Sequence, residues 1–119
     1  MKNIAALGLV VFFCFGLFIA PSLAQSATTQ EVSIIARNFE YLPNQIVVRK
    51  DQPVRIYLTS VDNPHGFALG AYKIKREVDP GTVTIIDFVP DKAGEFPFHC
   101  SVFCGWGHVG MKGKLFVVE

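Results

Sequence analysis

The feature that most restricts what this chain can fold into is a period of two. Apolar and polar residues alternate in short runs, and the runs are broken at Pro43-Asn44, Lys50-Asp51, Asn63-Pro64, Asp79-Pro80-Gly81 and the stretch from Pro90 to Gly94. Side chains two apart share one face of a strand, so each run can bury one face and leave the other wet. The reading predicts strands at Val32–Arg37, Gln45–Arg49, Val54–Thr59, Tyr72–Val78, Thr82–Phe88, Glu95–Cys100 and Lys114–Val118. No segment beyond the first two dozen residues has an apolar helical period. Short strands separated by turns, in a domain of this size, predict an antiparallel β-sandwich.

The 119 residues suffice for one small domain, with no internal repeat and no second domain. The start differs in kind. Lys2 is followed by an uncharged stretch from Ile4 to Ala20 and then by Pro21-Ser22-Leu23-Ala24-Gln25, the basic, apolar and small-residue regions of a secretory signal. Residues 1–24 are therefore expected to be a leader cut after Ala24, with an uncleaved membrane anchor as the rival reading. A Ser/Thr/Gln linker at 25–30 precedes the domain at 31–119. Cys14 sits in the leader behind the bulky Phe13, where a lipidation site would need a small residue. Export to the periplasm or the outer face of the cytoplasmic membrane is expected in either case.

Charge excludes some partners. Of eleven Lys and Arg only Lys2 lies in the leader, so the domain balances its ten acidic residues and is formally neutral. A nucleic-acid binder would show a basic stripe. A hydrolase would need a Ser/His/Asp set or paired carboxylates, and the carboxylates here are scattered.

The chemistry lies near the carboxyl end, in the run FHCSVFCGWGHVGM. It reads Cys100-x3-Cys104-x3-His108-x2-Met111, four soft or borderline ligands in one glycine-rich loop. Thiolate and thioether sulfur favour Cu(I) while imidazole serves both copper oxidation states, so the set suits an electron-transfer copper site better than a zinc site. Beside His108, Met111 reads as the weak axial sulfur of such a site. His65, in DNPHGFAL, is a further candidate that the fold must bring in. Phe96, Phe98 and Cys100 share one face of their strand, which turns His99 outward and makes it a weak candidate. A disulfide between Cys100 and Cys104 would close too small a loop to constrain the unfolded chain much, and it is expected only as an oxidised, metal-free state.

These residues together resemble the binuclear CuA domain of cytochrome c oxidase subunit II, and nitrous oxide reductase carries a similar domain. The likeness runs from about Phe39 to Glu119. It implies a cupredoxin, a Greek-key β-sandwich with copper at one end. Carried over by position, Cys100 and Cys104 would bridge two copper ions, His65 and His108 would each bind one, Met111 would be a weak ligand to one and the backbone carbonyl of Val102 a ligand to the other. The family's oxidases often have Glu where this chain has Val102, but a carbonyl ligand needs no particular side chain. A mononuclear blue-copper site would use only one of the two cysteines.

The expected role is a carrier or sensor module passing single electrons between exported partners, such as a c-type cytochrome or a membrane oxidase or reductase, and not a complete enzyme. Two alternatives are a copper-delivery protein without redox turnover and a mononuclear cupredoxin. Trp106 has two readings: part of an apolar rim where a redox partner docks, or a cover that packs over the metals and excludes water.

Overall fold

The computed structural model describes residue 8, residues 10–19 and residues 28–119. Among these, nine strands form two sheets packed as a Greek-key sandwich. One sheet has the order β2 (Glu40–Leu42), β1 (Gln30–Arg37), β4 (Val54–Ser60), β7 (Val83–Phe88). The other runs β3 (Gln45–Arg49), β9 (Lys112–Val118), β8 (Gly94–His99), β5 (His65–Leu69), β6 (Ile74–Val78).

The cut after Ala24 and residues 25–27 of the expected linker lie outside the described residues. Gln30 is not linker. It opens β1, where its side chain donates to the carbonyls of Arg49 and Gln52 and accepts from the Arg49 amide. Residues 10–19 carry neither helix nor strand, and among the described residues no helix is long and apolar enough to cross a membrane.

The expectation of a purely antiparallel sandwich is corrected in two places, because β1 pairs parallel to β4 and β3 parallel to β9. Parallel neighbours need a crossover between them. Here β2 turns back beside β1, β3 crosses to the second sheet, and β4 returns to the first in the direction of β1.

The period of two produces the core. Ile46 and Val48 of β3, Val54, Ile56 and Leu58 of β4, and Leu115 and Val117 of β9 all point inward and are buried. Each such side chain contributes about 1.5–3 kcal/mol by leaving water. Tyr41, Phe67 and Phe98 form the centre, with ring centroids 4.8–6.0 Å apart.

Two strands escape the sequence reading. β2 has only three residues, too few for an alternation. β5 alternates in no way, since all five of its residues are buried: one face meets the core, and the other is covered near Gly66 by Ser101 and Val102. The strand expected from Tyr72 begins at Ile74, because Tyr72 closes a 3₁₀ turn (Gly70–Tyr72) and Lys73 takes a left-handed conformation at φ 55°.

Candidate metal centre

The centre is built from two directions. β8 buries Phe98 and, one step beyond its end, Cys100, while His99 faces out as the alternation predicts. The chain then loops to Met111, whose carbonyl accepts from the Cys100 amide at 3.1 Å and closes the loop at its base. Before that closure a 3₁₀ turn (His108–Gly110) delivers His108. From the other side, β4 ends at Ser60 and a short turn leads into β5, whose first residue is His65.

All six residues singled out in the sequence converge at this end of the sandwich. Cys100 Sγ and Cys104 Sγ are 3.5 Å apart and unbridged. Cys100 Sγ lies 3.1 Å from the Val102 carbonyl oxygen. Cys104 Sγ lies 3.6 Å from His108 Nδ1 and 3.8 Å from Met111 Sδ. One ring nitrogen of His65 stands within 4.8 Å of both sulfurs. Met111 is fully buried, and so is His65.

The His65 ring is oriented by Asp62. Its Nε2–H donates to Asp62 Oδ1 at 2.7 Å, which leaves the lone pair on Nδ1, and Nδ1 is buried with no hydrogen-bond partner among the described residues. An orphaned imidazole lone pair beside two thiols is the donor set a soft or borderline metal ion completes. Desolvation pushes the Asp62 carboxyl up, but the amides of Asn38 and Asn63 and the His65 ring together hold it below its ordinary value.

Proximity of the two sulfurs has an electrostatic consequence. Burial, then the hydrogen bond and charge of Cys100, push the Cys104 thiol up to about 11. Without a cation the Cys104 thiol keeps its proton at neutral pH, so metal binding must displace it.

Backbone packing holds the sulfurs in place. The Gly66 amide donates to Cys100 Sγ at 3.3 Å, and the Gly66 carbonyl accepts from the buried Tyr41 hydroxyl at 2.5 Å. A Cβ on Gly66 would run into Ser101 and the Val102 amide. Burial, with the two cysteines adding to it, raises the Tyr41 phenol well above its ordinary range, so the hydroxyl stays a donor. Over the loop, the Phe39 ring lies against Gly105 and Gly107, leaving no room for a Cβ at either; Gly105 also sits at φ 137°.

Trp106 does not cover the centre. It is 96% exposed and meets Phe103 edge-on at 5.9 Å, which eliminates the water-excluding reading. Phe39, Tyr41, Asp62 and Gly66 went unnoticed in the sequence. The one usable signal was Asp62, a carboxylate three residues before a candidate ligand.

The chain is similar to several known proteins. Residues 8–117 match the model of the cupredoxin-like domain family. Cytochrome c oxidase subunit 2 of Thermus thermophilus is 34% identical over 101 residues, spanning 84% of this chain and 75% of that protein. Nitrous-oxide reductase of Ralstonia nicotianae is 31% identical over 94 residues, but the match covers only 14% of that enzyme. The solved periplasmic domain of subunit II of cytochrome oxidase (CoxB) of Bradyrhizobium japonicum superimposes with a TM-score of 0.71 at 24% identity, over 76% of this chain and 84% of that one. The chain belongs to the cupredoxin-like domain family and is homologous to the CuA domain of cytochrome c oxidase subunit II.

Proposed function

We propose that the domain is an exported electron-transfer module that holds two copper ions between Cys100 and Cys104. His65, His108, Met111 and the Val102 carbonyl complete the ligand set. The observation that carries this reading is the pair of unbridged sulfurs 3.5 Å apart with the other donors divided around them: Val102 at Cys100, His108 and Met111 at Cys104, and His65 within reach of both. Bound copper supplies a one-electron couple.

The protein's own contribution is rigidity. The Asp62 carboxylate fixes the His65 tautomer, the Gly66 amide stabilises charge on the Cys100 sulfur, and the strand β8 and the Phe39 ring hold the loop before any metal arrives. Ligands that need not move between redox states make electron transfer fast. The burial of His65, Cys100 and Met111 argues against the delivery alternative, since a donor of Cu(I) needs accessible ligands.

The donor and acceptor are proposed to be a c-type cytochrome and a membrane oxidase or reductase, at the periplasmic face. The leader-like start and the likeness to a periplasmic domain support that location. Copper content per folded chain, with the paramagnetic resonance spectrum of the oxidised form, tests the centre. Two coppers with hyperfine splitting from both nuclei are expected; one copper with splitting from a single nucleus would leave the mononuclear reading standing.

A further inference from the structure

Beside His108 the outer face of the second sheet is hollowed into an open cavity of about 530 Å³. Its polar lining is Lys73, Lys75, His99, Ser101 and His108, and no carboxylate lines it. Elsewhere on the domain four cations are paired, Arg37 with Glu40, Arg55 with Asp87, Lys50 with Glu119 and Lys114 with Glu95, while Arg49, Arg76, Lys92 and Lys112 stand singly among the described residues without lining this cavity. Among the described residues neither Lys73 nor Lys75 has a carboxylate within 4.0 Å. Ser101 Oγ is buried with no hydrogen-bond partner among the described residues, an unmet group that costs about 1–3 kcal/mol. The loop that carries the ligands adds an apolar platform, with Phe103 72%, Trp106 96% and Val109 89% exposed.

We propose that this cavity is a carboxylate-binding subsite, and that the surface it forms with the Phe103–Trp106–Val109 platform docks a redox protein ringed by acidic side chains. A partner carboxylate entering the cavity would meet two ammonium groups on the rim at the same time as its apolar face meets Trp106. Both contacts lie at the edge of the centre where His108 is partly exposed. Glu77, two residues beyond Lys75 on the same strand, does not line the cavity. The inference rests on the electron-transfer reading for its biological sense, but the binding it claims needs no metal.

The test uses a basic c-type cytochrome and the same cytochrome with its lysines succinylated, which turns their charge negative. Binding of each to the metal-free protein is measured by calorimetry at low and high salt, and electron transfer to the copper-loaded protein by stopped flow. The succinylated form is expected to bind more tightly, to lose affinity with salt, and to lose roughly ten-fold or more at low salt on the double substitution Lys73→Asp and Lys75→Glu. Asp suits the left-handed backbone at position 73, and far-ultraviolet circular dichroism checks that the variant folds. Tighter binding of the native basic cytochrome would overturn the proposal, as would an affinity that the double substitution leaves unchanged. Charge-dependent binding without electron transfer would uphold the subsite and count against the electron-transfer role instead.

Discussion

His65 shows what one residue owes to its neighbours. Alone in the sequence it is a histidine after a proline; in the fold, Asp62 takes its Nε2 proton as a hydrogen bond and leaves Nδ1 bare toward the sulfurs. Replacing Asp62 with Ala is therefore expected to weaken metal binding by about 10–100-fold while the apo fold persists, measured by competition with a copper chelator. Trp106 offers the opposite case. Being almost wholly exposed, it contributes little to the fold, and Trp106→Ala should change stability by less than about 0.5 kcal/mol while slowing second-order electron transfer from a redox partner. An unchanged rate would remove Trp106 from the docking surface.

At the scale of elements, the ligand loop is held by strands that bear no ligand. β2 matters because of Tyr41, whose hydroxyl pins the Gly66 carbonyl while the Gly66 amide reaches Cys100. Tyr41→Phe leaves that carbonyl without its donor and should cost about 1–3 kcal/mol in urea unfolding. The reduction potential of the loaded protein should also fall as the amide-to-sulfur bond loosens. In β5, Gly66→Ala would drive a methyl group into Ser101 and the Val102 amide. Overpacking of this kind costs about 1–3 kcal/mol, and here the strain falls on the loop, so loss of metal affinity should exceed loss of fold stability. Equal losses in titration and unfolding would show that β5 serves the fold and not the centre.

The whole molecule couples folding to the charge on the Cys104 sulfur. An ordinary thiol titrates near 9.0, whereas Cys104 in the fold is pushed up to about 11. Between those values the unfolded chain has released a proton that the folded chain keeps, so raising the pH favours unfolding. Stability of the metal-free protein conferred by this thiol should be intact below pH 9 and lost progressively from pH 9 to 11; Cys104→Ser should flatten that decline in thermal melts. Metal binding to the folded state alone adds stability that grows with the logarithm of free metal, so the loaded protein should melt higher than the metal-free one and lose that margin in chelator.

The chain's own order of residues determined the strands that alternate, their turns, the outward His99 and the cluster of Cys100, Cys104, His108 and Met111, because each of these is a local pattern of period or spacing. It hid β5, since burial on both faces erases alternation, and β2, since three residues make no pattern. Only the tertiary structure decided that β1 and β3 lie parallel to β4 and β9, that Trp106 faces solvent, and that Asp62, Gly66, Tyr41 and Phe39 serve the centre. Those facts depend on contacts between segments far apart in the chain, and spacing along a sequence carries no information about which distant backbone will lie against a given sulfur.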